Sequence, residues 1–167
     1  SGTPLEAALQ NILEDIRIEQ AMGRAFPGAK QNLERLANQL VSEQRFERLS
    51  ENAHPGAVVQ AFLLHRMRAD VLGQHALDDL AADSERRFHE TFSPGKAARI
   101  EALARTASDC CSVDEIKQLV TRILQSLQED EDENDETPGS SSVNGEQGKG
   151  ESRDDGSDEL QDDEAET

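Results

Sequence analysis

The 167-residue chain has no tryptophan and no tyrosine, and only five phenylalanines. Its core must therefore be aliphatic, with phenylalanine as the sole aromatic contribution. No run of 18 apolar residues occurs, so no membrane-spanning helix is expected. The amino terminus lacks a basic stretch followed by an apolar one, so no secretory signal is read there. Cysteine is confined to the neighbours Cys110 and Cys111. A bridge between adjacent residues closes a strained ring. Two thiols without a disulfide framework suit a reducing, cytoplasmic setting. There is no phosphate-cradling glycine loop, no HExxH, no paired CxxC and no GxSxG. An enzyme is not expected from this inventory, and no cofactor is implied by it.

What the chain does have is divided sharply after Gln128. Residues 129–167 hold 17 acidic residues against two bases, Lys149 and Arg153, and open with Glu129-Asp130-Glu131-Asp132-Glu133. That leaves 18 acids and 15 bases in residues 1–128, so most of the net charge of −18 belongs to the carboxy-terminal part. Val143 and Leu160 are the only aliphatic side chains larger than alanine in 129–167. So little apolar surface cannot offset the entropy of ordering the backbone, and the like charges repel. The segment is predicted to be a disordered acidic tail or linker. Residues 1–128 are close to the commonest domain size and can enclose one core. Direct nucleic-acid binding is disfavoured, because phosphate contacts require a basic patch.

Helical spacing runs through 1–128. Thr3-Pro4-Leu5-Glu6 is a capping box with proline at the first helical position, followed by Leu5, Leu9, Ile12, Leu13 and Ile16 at steps of three and four. Pro27-Gly28 predicts a turn. A second helix is predicted over roughly 29–49, with Leu33, Leu36, Ala37, Leu40 and Val41 inward and Phe46 and Leu49 extending the face. After the break at Asn52–Gly56, a third helix is predicted from about 57 to 72 through Val58, Val59, Phe62, Leu63 and Met67, ending at Gly73. A fourth covers about 74–90. Ser93-Pro94 opens a fifth, and the capping box Ser112-Val113-Asp114-Glu115 opens a sixth through Ile116, Leu119, Val120, Ile123, Leu124 and Leu127. No segment alternates as a strand does. The expected fold is all-α, an irregular bundle of about six helices.

Several clusters invite a chemical reading. His54, His65, His75 and His89 offer imidazoles, but no pair is spaced i, i+4, and a zinc site needs three or four ligands converging on one ion. No metal site is expected. Cys110 and Cys111 precede the cap at Ser112, where a helix start lowers thiol pKa, yet no base stands beside them in sequence. In Glu14-Asp15-Ile16-Arg17-Ile18-Glu19, Asp15 and Glu19 share a helix face while Arg17 points elsewhere. That like-charge pair calls for bases from another helix, such as Arg66 or Arg68 in Leu64-His65-Arg66-Met67-Arg68. Asp15, Arg17, Glu19, His65, Arg66 and Arg68 are therefore the candidate polar cluster between the first and third helices, structural or a surface for a partner. The residues leave two further readings open: an enzyme or metal-dependent subunit using Asp15, Glu19, His65 and Arg68, and an acidic tail that binds or shields basic partners as a chaperone or nucleic-acid mimic does.

These segments also carry a resemblance. Leu13-Glu14-Asp15-Ile16-Arg17-Ile18-Glu19, with Phe26-Pro27-Gly28-Ala29 and Asn32-Leu33, resembles the amino-terminal region of cobaltochelatase CobT-type proteins. Leu63-Leu64-His65-Arg66-Met67-Arg68-Ala69-Asp70-Val71-Leu72-Gly73-Gln74 and Phe88-His89-Glu90-Thr91-Phe92-Ser93-Pro94-Gly95 are similar to the same family. The order of helical region and acidic run matches as well. Related segments occur in von Willebrand factor A proteins that work beside MoxR-type AAA+ ATPases. The resemblance implies a non-enzymatic adaptor that pairs such an ATPase with a client. It also implies that the acidic run leads to an A domain bearing a DxSxS metal site, a motif these 167 residues do not contain.

Overall fold

A computed structural model describes residues 2–129. Within them the fold is built from six α-helices: α1 (Pro4–Ala25), α2 (Pro27–Ser42), α3 (Pro55–Val71), α4 (Asp78–Thr91), α5 (Pro94–Arg105) and α6 (Val113–Gln128). Short 3-10 turns, His75–Leu77 and Thr106–Asp109, precede α4 and follow α5. There is no strand among the described residues, and no described helix is long and apolar enough to cross a membrane. The all-α architecture is as the helical periodicity predicts. The disorder predicted for the acidic segment falls, from residue 130 onward, outside the described residues.

The helix starts follow from capping chemistry. Thr3 Oγ1 accepts from the Glu6 amide at 3.2 Å, Ser93 Oγ from the Lys96 amide at 3.4 Å and Ser112 Oγ from the Glu115 amide at 3.2 Å. His54 caps α3 with its imidazole, whose Nδ1 accepts from the Gly56 amide at 3.1 Å. Four helices carry proline in the first turn, where the missing N–H is no loss.

The second helix is shorter than its periodicity suggests. It ends at Ser42, and Gln44 takes a left-handed backbone at φ 57°. The Arg45 amide then donates to Leu40 O at 2.8 Å and the Gln44 amide to Val41 O at 3.0 Å. This is a Schellman closure with glutamine in the place usually held by glycine, and it stops α2 seven residues before the expected limit. Pro27 is likewise not in a turn. It begins α2, and Phe26 alone joins the first two helices.

α3 is the central helix. Val58, Val59, Phe62, Leu63, His65, Met67 and Ala69 are all buried on it, so it is covered on nearly every side. Its broadest packing is against α4, with α1 next. The main core joins Leu9, Leu13 and Ile16 of α1 to α3, to Phe88, and to Ile100, Ile116, Val120 and Ile123 of α5 and α6. At its centre Phe62 and Phe88 stack with ring centroids 4.1 Å apart. A second, smaller apolar cluster joins Ala69, Leu77, Leu80 and Ala81, with Val41 and Phe46 packed against it.

Candidate functional site

The candidate polar residues lie on helices whose core faces are already fixed by burial, so their remaining directions are set. On α3, Arg66 and Arg68 stand about 200° apart around the helix axis and face different neighbours. Arg68 faces α1. Its Nη1 donates to Glu19 Oε2 at 2.8 Å and its Nη2 to Glu19 Oε1 at 3.2 Å, a two-pronged pair of the kind planar guanidinium favours. The two side chains are 13 % and 20 % exposed, so the pair is largely withdrawn from water.

A third member completes this clasp. Gly73 adopts φ 67°, a left-handed backbone that glycine takes without strain, and so turns the chain back at the end of α3. The Gln74 amide thereby reaches Arg68 O at 3.2 Å. Its side chain, on a residue only 3 % exposed, donates from Nε2 to Glu19 Oε2 and accepts at Oε1 from Arg68, each at 3.4 Å. Glu19, Leu33 and Gln74 line two cavities, one of about 240 Å³ and one of about 100 Å³. Arg24 and Lys30 line the first. Leu36, Ala37 and Leu40 of α2 and Phe46 line the second. Arg68 Nε is buried without a hydrogen-bond partner. The apolar face of α2 therefore sits over an ion pair.

The other predicted residues go elsewhere. Arg66 holds Asp70 at 2.8 Å and Glu85 of α4 at 3.2 Å, while Arg105 of α5 reaches the second Asp70 oxygen at 3.0 Å and Glu101 at 3.0 Å. Asp70 and Arg66 of α3 together thus tie that helix to α5 and α4. Arg17 pairs within its own helix with Glu14 at 2.6 Å and donates to Cys111 O at 3.5 Å. The Arg17 hydrogen bonds hold the Glu14 carboxyl below its ordinary value of 4.5. Asp15 is exposed and has no ion-pair or hydrogen-bond partner among the described residues. Its supposed like-charge conflict with Glu19 is resolved by separation, since Glu19 leans to α3 and Asp15 to solvent. His65 is buried beneath the edge of Phe46, ring centroids 6.1 Å apart. Among the described residues no three His, Cys, Asp or Glu side chains converge as metal ligands would.

An apolar stripe lies outside this network. Ile18 and Met22, one turn apart, lie on the side of α1 away from Leu9, Leu13 and Ile16, and Phe26 follows in the extended link after the helix; all three are exposed, Phe26 by 65 %. The sequence marks them only as apolar residues out of phase with the buried face.

The family model described as "Cobalamin biosynthesis protein CobT" matches residues 6–167. The chain belongs to the CobT family. No curated protein and no solved structure matches it. For this CobT-family chain the clasp of Glu19, Arg68 and Gln74 falls within segments on which the family resemblance rests. Its members are spent on one another, so the arrangement acts as a fastening between α1 and α3. Gln74, Asp70 and Arg105 escape sequence reasoning, because their partners are set by the Gly73 turn and by helix packing.

Proposed function

We propose that residues 2–129 form a non-enzymatic helical interaction domain of a CobT-family protein, an adaptor that engages a client complex beside a MoxR-type AAA+ ATPase. The observation that carries this reading is the exposed stripe of Ile18, Met22 and Phe26. Ile18 and Met22 lie on α1 opposite its buried residues Leu9, Leu13 and Ile16, and Phe26 lies in the link that follows. Exposed apolar side chains gathered toward the end of α1 in a charged domain favour a place where another protein docks. Family membership supports the setting. The clasp and the Arg66–Asp70–Arg105 network support a rigid scaffold behind that surface.

The test is capture of the purified MoxR-type ATPase by the parent protein and by its Met22→Ser/Phe26→Ser variant. The wild type should bind. The variant should lose at least tenfold in affinity while keeping its thermal midpoint, because both side chains are exposed. Equal binding by the variant would move the docking surface elsewhere. No binding by wild type would remove the ATPase partnership.

A further inference from the structure

Residues 43–54 connect α2 to α3 without helix or strand. The two ends of this segment are held differently. Leu49 and Ala53 pack on the main core, and Arg87 of α4 donates to Ser50 O at 2.9 Å and Glu51 O at 3.3 Å. In the first half, residues 43–45 are tied to α2 by the closing hydrogen bonds of that helix, and beyond them one side chain, Phe46, packs on the small cluster of Ala69, Leu77, Leu80 and Ala81. Small satellite clusters open at lower cost than the main core.

Under the Phe46 ring lies His65, 2 % exposed, its Nδ1 with no hydrogen-bond partner. A neutral imidazole tolerates this position, whereas a charged one would sit desolvated against an aromatic edge. The ionisable surroundings do not rescue the charge. From α4 the group acting on His65 is Asp83, already engaged by Arg86 at 3.0 Å. From the segment, the cleft that His65 lines also holds Arg45, Glu47, Arg48 and His54. On α3 itself Arg66 is taken up by Asp70 and Glu85. We propose that His65 is an acid-operated latch: when its imidazole takes up a proton, Phe46 and the adjoining residues 47–48 lift from the satellite cluster while the main bundle stays folded.

Burial pushes the imidazole below its ordinary 6.5, outweighing the upward pull of Asp83. A group buried in its neutral form supports the closed state fully above 6.5. It withdraws that support as pH falls from 6.5 to the depressed closed-state value. Across that interval the ratio of open to closed grows by up to about tenfold per pH unit.

The experiment is an NMR titration of the whole chain from about pH 8 to about pH 5, following the His65 and Phe46 ring signals together. The His65 midpoint should fall below 6.5, with the contact between the two rings lost at the same midpoint. Tryptic cleavage after Arg45 and Arg48, taken as the ratio of wild type to His65→Phe at each pH, should rise by up to about tenfold per unit. Three results would overturn the latch: a Phe46 ring that keeps its contact while His65 titrates, a flat cleavage ratio, or loss of α1 and α6 signals at the His65 midpoint. Should His65→Phe not fold, the wild-type titration alone decides between these outcomes.

Discussion

Replacing Arg68 with methionine probes the clasp most directly. The substitution keeps the aliphatic stem and removes the charge, leaving Glu19 and the Gln74 amide facing each other without a cation. Breaking an exposed pair costs about 0–1 kcal/mol, and orphaning one member of a buried pair about 3–5 kcal/mol. With side chains only 13 % and 20 % exposed, this pair lies toward the buried limit. A loss of about 2–3 kcal/mol is expected, or a fall of roughly 8–12 °C in midpoint for a domain of this size. Removing the conflict at its source should restore most of it. In the triple variant Glu19→Leu/Arg68→Met/Gln74→Leu no polar group is left to satisfy, and the unpartnered Arg68 Nε is gone too. Its stability should return to within about 1 kcal/mol of wild type. Chemical denaturation of the three proteins with m-values compared is the assay. A loss below about 0.5 kcal/mol in the single variant, or a triple variant no better than the single, would refute the reasoning.

Other sites give independent checks. Lys96 is 6 % exposed and donates from Nζ to Leu127 O at 3.4 Å and Glu129 O at 2.6 Å, closing the end of α6. Lys96→Met should cost about 1.5–3 kcal/mol and raise hydrogen exchange in the last turn of α6 before any change in α3. Gln44→Gly should stabilise the domain by about 0.5–1 kcal/mol in thermal melts, since it relieves a left-handed glutamine without touching a core contact. The Glu14 carboxyl is held low by Arg17, so its contribution is present above the ordinary value of 4.5 and is lost as pH falls through the depressed one. Glu14→Gln should accordingly flatten the acid side of the stability profile measured by urea titration at successive pH values.

How much of this was legible in the sequence depends on the range of the interaction. Thr3, Ser93 and Ser112 announce their helices because a cap and the amide it satisfies lie within three residues. The end of α2 is hidden for the opposite reason. Phe46 and Leu49 continue the apolar period, and only the left-handed backbone at Gln44 reveals that they serve two different cores. The need for a base opposite Glu19 is readable from the crowding of acids on α1. The choice of Arg68 over Arg66 is not, since it rests on which side of α3 meets α1 and which meets α4. Gln74 enters the clasp through a glycine turn, and Asp70 meets Arg105 across 35 positions of sequence. Neither leaves a local trace. Lys96 reads as an ordinary first-turn lysine, and nothing near it in the chain foretells its burial.

The grip of α5 on the end of α6 has a mechanical consequence. Lys96 and Arg99 meet Glu129, and Lys96 also meets Leu127, at the end of α6. A force applied to the chain at Glu129 loads these two side chains together with the backbone ladder of α6, whose last bond runs from the Glu129 amide to Gln125 O. Behind them Ile116, Val120 and Ile123 anchor α6 against α1 and α5. Tension entering at Glu129 is thereby shared between α6 and α5.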